Sequence, residues 1–91
     1  MKDKSINGFV LQYPLGVGGM AEVWYAENDI HKPAAVKILN EKFSINNQIV
    51  ERFRKEAEIM VKLNHQNIRQ VYGCGSIDGR PAIIMEYLFK Y

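Results

Sequence analysis

Three features of this 91-residue sequence bring together groups suited to holding a phosphorylated ligand. The first is the cluster Gly16-Val17-Gly18-Gly19, where residues without side chains let backbone N–H groups come close to phosphate oxygens. The second is Lys37, a compact cation near the end of the apolar run Ala34-Ala35-Val36-Lys37-Ile38-Leu39. The third is Glu56, a carboxylate 19 residues further on, within a segment of helical periodicity. Each has a plainer reading when taken alone. A glycine cluster is also a flexible turn, a lysine in an apolar strand is also the solvent-facing member of an alternation, and a glutamate at the margin of an apolar arc reaches water.

The elements that would position these groups follow from periodicity. Residues 8–16 place Phe9, Leu11, Tyr13 and Leu15 at alternate positions, the period-two pattern of a strand, with Pro14 near its end or on an edge. Val23, Trp24 and Tyr25 mark a second strand over residues 20–27, and Ala34 to Leu39 a third. Between the first two, Gly16 to Gly19 reads as a turn. A dinucleotide fold would need a helix to open directly after the glycines, and Ala21 to Ala26 reads as strand instead.

From about Asn46 to Leu63, steps of about 100° place Ile49, Val50, Phe53, Ala57, Met60, Val61 and Leu63 in one arc about 160° wide. Glu51, Lys55, Glu58 and Lys62 lie opposite. Glu56 falls between Leu63 and Ile49, inside the arc, where an ionised carboxylate needs a cation. Lys37 is the candidate. Two further strands, Ile68–Ser76 and Arg80–Leu88, are joined by Ile77-Asp78-Gly79, a strong hairpin signal because the tight turn needs positive φ. The expected order is β-β-β-α-β-β: an α+β fold with a five-stranded antiparallel sheet and one packed helix.

Composition narrows the function classes. Apolar residues make up 47% and charged residues 24%, ordinary for one small globular domain. Twelve basic residues against ten acidic ones, interspersed, lack the lopsided basic stripe of a nucleic-acid binder. A single cysteine, Cys74, offers neither a disulfide framework nor zinc spacing. The start Met1-Lys2-Asp3-Lys4-Ser5 has no apolar run behind it, and no stretch reaches a membrane span of about 20 apolar residues. A soluble, cytoplasmic chain is expected.

Taken together, the glycine hairpin, Ala35-Val36-Lys37 and a helical Glu56 resemble the small lobe of a protein kinase. Leu15-Gly16-Val17-Gly18-Gly19-Met20-Ala21-Glu22-Val23, Phe53-Arg54-Lys55-Glu56-Ala57 and Leu63-Asn64-His65-Gln66-Asn67-Ile68 resemble the bacterial eukaryotic-like serine/threonine kinases. Residues 1–7 would then be an N-terminal tail, 8–88 the small lobe and 89–91 the end of the hinge. The resemblance implies ATP as ligand, with Gly16, Gly18 and Gly19 over its phosphates. Lys37 would hold the α- and β-phosphates and Glu56 would hold Lys37. Leu15, Val23 and Ala35 would sandwich the adenine, Met85 would stand as gatekeeper, and the backbone of Glu86 and Leu88 would meet the adenine edge. Ala21 departs from the pattern by one methyl group where a third glycine is common.

The resemblance also implies magnesium in the complete enzyme, held by acidic residues of a large lobe that this sequence does not reach. The chain alone is therefore expected not to transfer phosphate. An uncovered face around Met60, Val71 and Phe89 would favour self-association or a rearranged helix. Two readings stand side by side: a piece of a phosphotransferase, and a stand-alone kinase-like lobe that regulates by binding. A small β-rich module unrelated to ATP is a third, opposed by the glycines, Lys37 and Glu56.

Overall fold

The computed structural model describes residues 1–63 and 70–87, the side chains of residues 61–63 aside. Its elements are β1 (Ser5–Ile6), β2 (Phe9–Val17), β3 (Ala21–Glu27), β4 (Pro33–Leu39), a 3₁₀ turn (Glu41–Phe43), α1 (Asn47–Leu63), β5 (Val71–Ile77) and β6 (Arg80–Glu86). The strands form one antiparallel sheet in the order β1-β2-β3-β4-β6-β5.

Among the described residues the sheet has six strands where the sequence led us to expect five. The extra one lies in the stretch read as a tail. Asn7 and Gly8 adopt positive φ, 50° and 85°, and fold Ile6 back onto Phe9. Asn-Gly is the same kind of tight-turn signal as Asp78-Gly79, whose φ values are 51° and 78°. Ile6 is buried as a result.

β4 explains how one sheet supports two cores. Ala34, Val36 and Ile38 point to one face; Ala35, Lys37 and Leu39 point to the other. The first set joins Ile6, Phe9, Leu11, Ala26, Ile77, Ala82 and Ile84 in an apolar cluster that draws on every strand. The sheet curls around that cluster until β1 lies against β5. Lys4 Nζ reaches Asp78 Oδ2 at 3.0 Å across this closure. A Cβ added to Gly75 would stand 3.1 Å from Ile6 Cδ1, so a side chain there would make Ile6 shift by a few tenths of an ångström.

The second face carries α1. Asn46 Oδ1 accepts from the N–H groups of Gln48 (3.0 Å) and Ile49 (3.2 Å), capping the helix one residue before it begins. Phe53 and Ala57 are buried against Ala35, Leu39, Ile83 and Met85, with Ile49 and Val50 half-buried beside them. β2 departs from its alternation. Phe9 and Leu11 point inward, but register shifts fall between Leu11 and Tyr13 and between Pro14 and Gly16. Tyr13 and Leu15 are consequently 49% and 40% exposed. The expected junction at Asn64–Asn67 and the starting residues of the fourth expected strand, from Ile68, lie outside the described residues, as do Leu88 and Phe89.

Candidate functional site

β2 continues through Val17, so the glycine turn is tighter than the sequence suggests, with Gly18, Gly19 and Met20 at its tip. Gly18 N–H donates to Ala21 O at 2.8 Å to close it. None of Gly16, Gly18 and Gly19 has φ in the left-handed region. A Cβ built on Gly16 or Gly19 would meet no atom within 4 Å, and one on Gly18 would meet Ala21 O at 3.4 Å. Neither backbone conformation nor packing within the chain calls for glycine at Gly16 or Gly19. What glycine does provide there is close access to the backbone from outside.

Lys37 is presented by the centre of the sheet, paired with Val23 on one side and Ile83 on the other. Its Nζ stands 4.0 Å from Glu56 Oε2 and 5.8 Å from the centroid of the Phe53 ring. Glu56 is less enclosed than its place on the helical wheel suggests. Its side chain is 58% exposed, at the rim of α1, while Phe53 and Ala57 fill the contact with the sheet. A pair this open contributes about 0–1 kcal/mol, so it orients Lys37 more than it stabilises the fold.

A cavity of about 150 Å³ joins these groups, lined by Met20 and Ala21 from the turn, Lys37 and Leu39 from β4, and Ile49, Arg52, Phe53 and Glu56 from α1. Its two cations against one carboxylate suit an anionic group. The volume is well below the roughly 300–1,000 Å³ of a site that encloses a whole drug-sized ligand. It has room for a small anionic group but not for a whole nucleotide. An open groove of about 760 Å³ runs along the solvent side of α1 from Asn47 to Ile59, but it has no backbone cradle.

Of the other expected residues, three lie on the same face. Val23, Ala35 and Met85 share the apolar cluster under α1, and Val23 pairs with Gly16. Leu15 stands at the free edge of β2. Glu86 N–H donates to Gln70 O at 2.8 Å, so an adenine-edge bond at this residue has to use its carbonyl. Beside this wall Tyr13 stacks on Tyr25 with centroids 4.8 Å apart, and Tyr25 meets Tyr87 edge-on at 5.1 Å. Tyr25 donates its hydroxyl to Glu27 Oε2 at 2.6 Å. That bond, with partial burial, pushes the Tyr25 phenol up to about 12.

A glycine turn, a sheet-borne lysine and a helix-borne glutamate on one antiparallel sheet lead to a specific comparison. A family model for protein tyrosine and serine/threonine kinases matches residues 9–90. The chain belongs to the protein kinase family.

It is 40% identical over 87 residues to the serine/threonine-protein kinase PrkC of Bacillus subtilis (strain 168), covering 93% of this chain and 13% of that protein. It is 39% identical over 82 residues to the serine/threonine-protein kinase PknA of Mycobacterium tuberculosis (strain ATCC 25618 / H37Rv), covering 84% of this chain and 19% of that one. The chain thus spans a small part of the length of these relatives. Among solved structures, the kinase domain of Mycobacterium tuberculosis PknI matches with a TM-score of 0.77 at 26% identity, over 97% of this chain and 36% of that chain. The sheet and α1 have the fold of the kinase small lobe.

Against this kinase frame, several residues of the site escaped the sequence reading. Arg52 looks like one more charge on the solvent side of α1, yet it lines the cavity. Arg80 donates through Nε to Leu39 O (2.9 Å) and through Nη2 to Glu22 Oε2 (3.1 Å), fixing the end of β4 beside the turn. Asn40 donates through Nδ2 to Gly19 O at 2.9 Å and Gly18 O at 3.4 Å. An asparagine just after a strand and before Glu41-Lys42-Phe43 reads as a helix cap, which hides this contact.

Proposed function

We propose that this chain is the ATP-gripping lobe of a protein serine/threonine kinase, which in the complete enzyme transfers a phosphoryl group from ATP to serine or threonine of a protein. One observation carries the reading. The backbone of the glycine turn is open to approach at Gly16 and Gly19, and the turn ends on a cavity lined by Lys37 and Arg52. In this reading Gly16, Gly18 and Gly19 cover the phosphates, Lys37 holds the α- and β-phosphates, and Glu56 steadies Lys37. Leu15, Val23, Ala35 and Met85 receive the adenine face, and the backbone of Glu86 and Leu88 receives its edge. The use of ATP carries a cytoplasmic location with it.

Phosphoryl transfer also needs a group that orients the acceptor hydroxyl and ligands for magnesium. This reading assigns none of those roles within the 91 residues, so the chain by itself binds ATP weakly and does not turn it over. Titration of the chain with ATP, with and without magnesium, tests this. Weak binding that Lys37→Ala abolishes is the expected result. Tight, magnesium-dependent binding would contradict the assignment of the metal ligands elsewhere, and an unchanged Lys37→Ala would remove Lys37 from the phosphate site.

A second reading, a kinase-like lobe that works by binding another lobe, is favoured by the apolar residues left open near the turn. Leu15, Val17 and Met20 are 40%, 79% and 48% exposed, with Met60 and Val71 half-buried on the α1 side. Apolar surface of this kind favours association. Light scattering over a concentration series is expected to show mass rising above the monomer. A monodisperse monomer at high concentration rules the self-association out.

A further inference from the structure

Asn40 follows β4 directly and stands at the N-cap of the 3₁₀ turn Glu41–Phe43, where an asparagine side chain ordinarily accepts from the following N–H groups. Here it makes no such cap. The cap's carbonyl does the local work, accepting from Phe43 N–H at 3.0 Å and from Ser44 Oγ at 2.9 Å. The side chain is turned the other way, and its Nδ2 donates to the carbonyls of Gly19 (2.9 Å) and Gly18 (3.4 Å). Asn40 N–H adds a third bond, to Met20 O at 2.7 Å. One residue therefore grips three successive carbonyls of the glycine turn.

The consequence follows from peptide geometry. A trans peptide holds its C=O and N–H antiparallel in one plane, and no peptide bond among the described residues is cis. The Gly18 carbonyl shares its plane with Gly19 N–H, and the Gly19 carbonyl shares its plane with Met20 N–H. Drawing both carbonyls onto Asn40 turns both N–H groups away from it, off the end of β4. A glycine turn without such a hold would sample many orientations of these planes. Lys37 lies on the same strand, three residues before Asn40. A single rigid element then sets both the lysine and the peptide planes of the turn. Arg80, donating to Leu39 O at 2.9 Å, fixes the strand end from the other side.

We propose that Asn40 is a positioning residue for nucleotide binding: it aims the N–H groups of Gly19 and Met20 for phosphate while touching no phosphate itself. The proposal rests on the ATP reading above. It concerns the orientation of the turn, which can be measured without any ligand.

The test uses the 91-residue chain and two variants. Asn40→Ala removes the donor, and Asn40→Asp keeps the size while removing the ability to donate. Circular dichroism establishes that each variant is folded. NMR order parameters of the Gly19 and Met20 N–H vectors are expected to fall from about 0.85 to below about 0.6 in both variants, with those of Val36 and Ile84 in the sheet unchanged. In Asn40→Ala, affinity for ATP is expected to fall about tenfold while affinity for adenosine stays within about twofold. Order parameters at Gly19 and Met20 equal to those of the unmodified chain in both variants would overturn the clamp. Equal losses for ATP and adenosine would overturn its role toward phosphate. An unmodified chain that binds ATP no more tightly than adenosine would instead overturn the phosphate reading itself, and the order parameters would still decide whether Asn40 holds the turn.

Discussion

Glu22 receives two donors on its two oxygens, Trp24 Nε1 at 2.7 Å and Arg80 Nη2 at 3.1 Å. The Trp24 bond does most to hold the Glu22 carboxyl below its ordinary value of 4.5, with Arg80 reinforcing it against partial burial. A carboxylate lowered in the folded state adds stability that is complete above pH 4.5 and is lost as pH falls through the folded value. Its side chain is 21% exposed and that of Arg80 15%, so solvent screens the pair only in part. We expect Glu22→Gln to cost about 1–2 kcal/mol at pH 7. Below pH 4.5 the difference from the unmodified chain should shrink, because a protonated glutamate and a glutamine then offer similar bonds. Urea unfolding at pH 7 and pH 3 measures both. A difference that is the same at the two pH values would mean that the Glu22 charge contributes nothing.

At the scale of elements, what was legible in the sequence was whatever short-range chemistry decides. The alternation in Ala34 to Leu39 and the Asp78-Gly79 turn gave β4 and the β5–β6 hairpin, and the apolar arc gave α1, though not the cap that Asn46 makes. Asn7-Gly8 carried the same hairpin chemistry, but the strand it makes, Ser5–Ile6, is two residues long and has no alternation of its own. The bulges in β2 were not legible, since a register shift depends on the partner strand. Exposure of Glu56 was not legible for a related reason. A helical wheel gives an angle about the axis, but where the covering sheet stops is a tertiary fact, and here the sheet covers Phe53 and Ala57 and stops short of Glu56. Asn40 shows a third limit. Its residue type predicts a cap, and only the proximity of a turn some twenty residues earlier diverts the side chain.

At the scale of the whole molecule, the two cores are of unequal standing. The cluster inside the curled sheet draws on six strands and includes Leu11, Val36, Ile38 and Ile84, each 0–1% exposed. The cluster under α1 holds the helix through two buried residues, Phe53 and Ala57, with Ile49 and Val50 at its margin. Phe53→Ala removes a contact worth about 3–5 kcal/mol, on the order of what an isolated helix of this length needs from packing to persist in water. Leu11→Ala removes about 2–5 kcal/mol from a cluster that every strand shares. We therefore expect Phe53→Ala to lose most of the helical circular dichroism while Trp24 fluorescence and slow exchange at Val36 and Ile84 persist. Leu11→Ala should lower the melting temperature of helix and sheet signals together. If Phe53→Ala instead unfolds both signals in one transition, the sheet depends on α1 for its stability. The reverse outcome would mean that the sheet bearing Lys37 and the glycine turn holds its shape while α1, with Glu56 and Arg52, can leave the cavity.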